Sequence, residues 1–259
     1  MRSEKLVTRI FIIAESIIYI TFIILDLSVW GSDYSDNVRY FIGITPDCSE
    51  YLKYSGIVLV FAHALFLCIK GFDRNRLLIT CALFFTATAD VFLLFFVGQL
   101  FFIPGLASFS ITQTLYSFLL TDGKAVHKRI LPPCISLVVA VSLAVGIGRI
   151  LFYDFTTTLL VALVFFYAVM FVCNTVRSWC NFIKQGRRFH LVFSVGLTLF
   201  MMCDVNVLLR NLNSFYFEII PSGVVSAAIF LSWVFYLPAQ VLISLSLHML
   251  KPREKKIPA

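Results

Sequence analysis

Runs of about twenty mostly apolar residues follow one another along almost the whole chain, and charged residues gather in the gaps between them. The hydrocarbon core of a bilayer is crossed by a helix of ~20 apolar residues. Inside lipid every backbone N–H and C=O has to be satisfied within the segment, so each run has to be helical. Eight spans follow, at 7–30, 51–70, 76–97, 99–121, 129–148, 150–175, 189–212 and 219–249. The fold class expected is an all-α integral membrane protein, with residues 1–259 forming a single polytopic membrane domain. Only 14% of the 259 residues are charged and 60% are apolar. A soluble domain carries roughly 25% charged residues, so lipid is the expected solvent and the bilayer the expected surroundings. The shortest gap, at Gly98-Gln99, predicts a tight hairpin between the third and fourth spans. The eighth span contains Pro221 and Pro238, which predicts a tilt or kink.

The net charge of +7 would suggest nucleic acid in a soluble protein. Here its distribution points to topology instead, and no nucleic-acid partner is expected. With the N-terminus in the cytoplasm, all but four of the 21 basic residues fall in cytoplasmic segments. The four are Arg39, Lys53, Arg149 and Arg210. The opposite side holds Asp33, Asp36, Asp47, Glu50, Asp154 and Glu218. Basic residues are retained on the cytoplasmic side of membranes, so both termini are expected inside, in a multi-pass protein of a bacterial plasma membrane. The seven cysteines stand singly, without a CxxC or a His/Cys cluster, so neither a disulfide framework nor a metal site is expected.

Two aspartates lie within apolar spans, where an ionisable side chain costs about 2.5–3.5 kcal/mol on insertion scales. Asp90 sits in Ala89-Asp90-Val91 of the third span and Asp204 in Cys203-Asp204-Val205 of the seventh. Both spans run outward, and at ~1.5 Å per residue the two carboxyls share a depth in the outer half. Their similar flanks are compatible with a 4+4 parallel internal repeat, and equally with chance matching of short apolar strings. Either each aspartate hydrogen-bonds across helices for structure, or the two face one cavity. Lys53, at the head of the second span, is within reach of that layer, although a Lys there more often snorkels to the interface. Glu15 lies mid-span with no partner legible in the sequence, and His63 has the position of a hydrogen-bonded packing residue. Gln113 and Tyr116 stand one turn apart, as do Tyr236 and Gln240, so each pair shares a helix face. Both pairs count deeper toward the cytoplasm than the aspartates, and a helix break at Pro104 or Pro238 would relieve that mismatch.

The segments ALFFTATADVFLLF (82–95), FIPGLASFSITQTLY (102–116), MMCDVNVLLR (201–210) and WVFYLPAQVLISLS (233–246) resemble the YhhN-like lysoplasmalogenase family of eight-span membrane proteins. Lys53 also fits the family pattern, with Tyr54 where a Pro usually follows. The likeness runs from about 51 to 248. The chain departs from the pattern at Ala89, usually Gly, at Cys203, usually Ser, and at Gln113, often His. Without the His, no titratable group is available at that position.

The resemblance implies hydrolysis of the vinyl ether bond of lysoplasmalogens, giving a fatty aldehyde and a glycerophospho-alcohol. It also implies Asp90 and Asp204 as catalytic residues and a lysophospholipid with a vinyl ether chain as substrate. Lys53, Gln113, Tyr116, Tyr236 and Gln240 are then the substrate-binding candidates. The chemistry suits two carboxyl groups. One, still protonated, gives its proton to the β-carbon; the other steadies the resulting oxocarbenium ion and orients water, a division of labour like that of glycosidases. Burial and mutual repulsion raise a carboxyl pKa, as the acid requires. The reaction calls for no cofactor and no metal. A lipid or small-molecule transporter, or a receptor, would use a similar polar cavity. A transporter would more often show broken helices in both halves.

Overall fold

A computed structural model describes residues 2–29, 46–96, 99–121, 126–151, 155–215 and 221–250. All regular structure in these residues is helical. The helices are α1 (Arg2–Val29), α2 (Pro46–Lys70), α3 (Arg74–Phe95), α4 (Gln99–Leu120), α5 (Val126–Leu151), α6 (Phe155–Gln185), α7 (Arg188–Phe215) and α8 (Ser222–Ser246). A 3-10 turn, Leu247–Met249, follows α8. By length and composition, six of them can cross a membrane: α1, α2, α3, α6, α7 and α8. The apolar stretch of α5 is shorter, Ile130–Gly146. α4 carries Ser108, Ser110, Thr112, Gln113, Thr114 and Ser117 along its length, and most of these are buried.

Exposed surface is where a membrane protein should be apolar. On α1, Ile10, Ile13, Ile17, Ile20 and Ile24 are all exposed, while Thr8, Phe11, Glu15 and Phe22 are buried. The buried set recurs at three-, four- and seven-residue steps, one narrow stripe of a helix whose remaining surface suits lipid.

The chain divides into two compact units. One comprises Met1–His63 and Val195–Ile243, the other Ala64–Ser194 and Ser244–Ala259. The units are therefore not the first and last four helices.

In the first unit α1 and α2 run antiparallel, with Thr8 level with His63 at one end and Asp26 level with Ser49 and Lys53 at the other. Tyr19 ties α1 to α8 by donating to the Val234 carbonyl at 3.1 Å. α7 meets α8 closely at Gly196, where a Cβ would come within 2.9 Å of Ile243 Cγ1 and 3.1 Å of the Ala239 carbonyl oxygen.

In the second unit α3 packs along α4, and both α4 and α5 pack on α6. Asp73 caps α3, its carboxylate accepting from the Asn75 N–H at 3.1 Å, which satisfies one of the orphan donors of the first turn. Arg76, which the sequence places among the loop charges, is buried in that first turn. Its guanidinium donates to the Leu67 carbonyl at 2.9 Å and the Leu250 carbonyl at 3.4 Å. It thus completes the C-terminal end of α2, where a cation is favoured.

Several expected boundaries change. α6 runs ten residues past 175, because its added turns find partners on α4. Arg177 donates to Ser117 Oγ at 3.3 Å, and Asn181 donates to the Leu120 carbonyl, an end-of-helix acceptor, at 3.0 Å. It stops at Gly186, whose φ of +60° suits a residue without a Cβ. Pro221 lies ahead of α8 rather than within it, and its carbonyl accepts from Val224 and Val225. At a helix start the missing N–H costs nothing. α4 and α8 continue unbroken through Pro104 and Pro238, so neither proline relieves the depth mismatch noted above. The Gly98 hairpin and most of the 31–50 loop lie outside the described residues.

Candidate functional site

The candidate site residues sort between the two units. The second unit holds Asp90, Gln113 and Tyr116. The first holds Lys53, Asp204, Tyr236 and Gln240.

Asp90 is buried in the last two turns of α3, on a stretch where Thr86, Ala87 and Ala89 are buried too. α4 comes close at this point. A Cβ on Gly105 would lie 2.9 Å from Leu93 Cγ and 3.5 Å from the Ala89 carbonyl oxygen. Small residues at 89 and 105 are thus what let the α4 backbone approach the turn that carries Asp90. One turn further along, Thr86 and Thr112 hydroxyls stand 3.4 Å apart, and Thr112 donates to the Ala82 carbonyl at 3.0 Å.

Gln113 and Tyr116 are fully buried on α4. Asn174 of α6 reaches Gln113, its Nδ2 donating to the backbone carbonyl at 2.7 Å and to Oε1 at 3.0 Å. The Tyr116 ring packs edge-on to Phe193, with centroids 5.2 Å apart. Four polar atoms in this neighbourhood have no hydrogen-bond partner among the described residues: Gln113 Nε2, Tyr116 Oη, Asn174 Oδ1 and Thr175 Oγ1.

In the first unit Lys53 does not snorkel. It is buried, with Nζ 2.6 Å from Asp26 Oδ2 on α1. Ser49 donates to Asp26 Oδ1 at 2.7 Å. The ammonium also lies 5.6 Å from the Phe22 ring centroid and 5.5 Å from that of Trp233, within cation–π range. A buried ion pair is held only with such additional contacts, since desolvation of two ions is expensive. The sequence reading did not single out Asp26. An ionisable residue between Leu25 and Leu27, inside the span 7–30, was the available signal. Asn174, inside the sixth span, was missed in the same way.

Tyr236 is buried and packs against Phe200 and Trp233, with centroids 5.4 and 5.3 Å apart. Gln240 is fully buried, and neither its Nε2 nor its Oε1 has a hydrogen-bond partner among the described residues. Asp204 is half-buried on α7, beside buried Cys203 and exposed Val205. His63 is a packing residue, as its position suggested. Its ring stacks on Phe11 with centroids 4.0 Å apart, and Nε2 is 3.2 Å from Thr8 Oγ1. Glu15 is buried against Gly56, where an added Cβ would lie 3.3 Å from Oε2; neither carboxyl oxygen has a hydrogen-bond partner among the described residues. Among the described residues, no three His, Cys, Asp or Glu side chains come together as a metal-ligand set.

The profile of the YhhN family matches residues 49–247, from the start of α2 to the end of α8. No curated protein and no solved structure matches the chain. The match covers well over half of the sequence, and the chain belongs to the YhhN family.

Proposed function

We propose, from membership of the YhhN family, that this chain is a lysoplasmalogenase-type membrane hydrolase, with Asp90 and Asp204 as its catalytic carboxyl pair, either of the two serving as the acid. The observation that carries the reading is the matched segment itself, which includes both aspartates. The burial of Asp90 beside the close approach of two helices at Ala89 and Gly105 supports it.

One carboxyl protonates the β-carbon of the vinyl ether, forming a C–H bond and leaving an oxocarbenium ion. The other carboxylate balances that charge and takes a proton from the attacking water. The hemiacetal then breaks its C–O bond as its hydroxyl proton passes, by way of the carboxyl pair, to the leaving oxygen, releasing a fatty aldehyde and a glycerophospho-alcohol. Lys53 would meet the substrate phosphate only by exchanging its Asp26 partner, whereas Gln113, Tyr116, Tyr236 and Gln240 suit the uncharged polar groups of the substrate. The transporter alternative would draw support from broken helices, whereas α4 and α8 are continuous through their prolines. The protein would sit in a bacterial plasma membrane with both termini in the cytoplasm. Labelling of Cys48 by an impermeant thiol reagent in intact cells, with a tag after Ala259 protected, would support that orientation.

Purified protein incubated with lysoplasmalogen should release aldehyde. Asp90→Asn and Asp204→Asn should each lower the rate by about 10²–10⁴-fold, the usual size of a general acid–base contribution, while leaving the helical content unchanged. Asn keeps the size of the side chain but cannot protonate carbon. Wild-type protein that releases no aldehyde, or Asn variants that keep most of the activity, would sink this reading.

A further inference from the structure

The seam between α4 and α6 contains a buried hydrogen-bonding site whose polarity is set by one residue outside the proposed chemistry. Asn174 and Gln113 are both fully buried. The terminal atom of Asn174 that lies 2.7 Å from the Gln113 backbone carbonyl has to be nitrogen, because a carbonyl oxygen only accepts. The same nitrogen is 3.0 Å from the end of the Gln113 side chain, so the atom it meets there has to be Oε1. Both amide orientations follow from the backbone contact. Gln113 Nε2 is then left as a donor, and Asn174 Oδ1 as an acceptor, neither with a partner among the described residues.

Two more groups join them. Tyr116 is one turn along α4 from Gln113, and its hydroxyl also lacks a partner among the described residues. Thr175 follows Asn174. Thr112 and Thr114 on α4, and Thr121 just past its end, each donate to the carbonyl four residues back, as helical threonines commonly do. The Thr175 hydroxyl makes no such bond. Leaving a buried polar group unsatisfied is costly, and four such groups on stretches of two packed helices that meet at Gln113 and Asn174 are complementary to something that both donates and accepts.

We infer that Gln113, Tyr116, Asn174 and Thr175 form an uncharged site for a hydroxyl group, with Asn174 as the positioning residue that turns the Gln113 N–H toward it. The oxygen would accept from Gln113 Nε2 and its proton would go to Asn174 Oδ1 or Tyr116 Oη. Thr112 is level with Thr86, Asp90 is one turn beyond Thr86, and Gln113 and Tyr116 lie on the other side of that level, which places the site ~8–12 Å along the helix axis from Asp90. Water and an alcohol of the substrate share this chemistry. The link to catalysis rests on the hydrolase reading, whereas the site itself does not. The same logic would hold for a His placed at position 113. A neutral imidazole accepts at one nitrogen and donates at the other, so an Asn174 donor would fix its tautomer as it fixes the Gln113 amide.

The deciding experiment is an experimental structure of the whole protein at a resolution that shows ordered water, with and without a non-hydrolysable alkyl-ether lysophospholipid. Density hydrogen-bonded to Gln113 Nε2 in both structures identifies water. Density that appears only with the lipid, continuous with its glycerol, identifies a substrate hydroxyl. A Gln113 Nε2 satisfied by a protein carbonyl, with no density beside it, would overturn the site. Kinetics gives a second readout. Gln113→Met, close in shape and without a donor, should lower kcat/KM at least tenfold while thermal stability is unchanged or raised. A residue that serves only to hold the helices together would move stability downward and leave kcat/KM alone. Gln113→His should recover most of the Met loss, but not in an Asn174→Leu background; recovery there would show that Asn174 positions nothing. A wild type without activity would sink the hydrolase reading and leave the structural experiment to decide the site.

Discussion

The α1/α2 seam and the α4/α6 seam both bury polar side chains, but they manage the cost differently. Between α1 and α2 the groups at one end are full charges, and each is occupied. Lys53 has Asp26 and two aromatic faces, and Asp26 has Lys53 and Ser49. Between α4 and α6 the interactions follow one another turn by turn, chiefly from neutral groups. Asn174 bonds Gln113, Arg177 reaches Ser117, and Asn181 bonds the Leu120 carbonyl. Here Gln113 and Asn174 each keep one valence unused among the described residues. An uncompensated ion in a low-dielectric interior costs far more than an uncompensated amide. The charged end therefore has the character of a clamp, and the amide seam that of a place able to accept a ligand.

The largest expected effect comes from breaking the clamp on one side only. Lys53→Gln or Asp26→Asn alone should destabilise the protein by about 2 kcal/mol, less than the ~3–5 of a fully buried pair because Asp26 is partly exposed. The double variant should recover much of that loss. Unfolding in detergent micelles as a double-mutant cycle measures the coupling, and additive losses would show that the pair is no clamp.

The close helix contacts come next. Gly196→Ala places its Cβ against the α8 backbone at Ala239 and Ile243, which cannot yield, and should cost about 1–1.5 kcal/mol, the low end for an overpacked contact. Gly56→Ala meets chiefly the Leu237 side chain and should cost less. Equal losses in thermal denaturation would contradict the backbone argument.

Smaller effects test the neutral seam. Asn181→Leu removes one bond to an end-of-helix carbonyl and should cost about 0.6–1 kcal/mol, near the typical value for interhelical hydrogen bonds in membranes. Thr8→Val is the mildest, at or below about 0.6 kcal/mol, because His63 keeps its stack on Phe11. A Thr8→Val loss exceeding that of Asn181→Leu would invert the ranking of the two seams.

Apolar run length and the placement of charges determined by themselves that the described residues are helical and roughly where each helix lies. Both are local consequences of backbone hydrogen bonding in lipid. The sequence also marked Asp90 as a carboxyl within an apolar helix and His63 as a packing residue, since an isolated polar group in such a run has to turn inward. Only the tertiary structure decided which polar group meets which. Lys53 met Asp26 rather than either candidate aspartate, and Gln113 met Asn174, because these pairings depend on the register between helices far apart in sequence. The same holds for helix ends. α6 continues to Gln185 because acceptors on α4 are there to meet it. Pro104 and Pro238 lie within unbroken helices because packing against neighbours outweighs the one backbone bond that each proline removes.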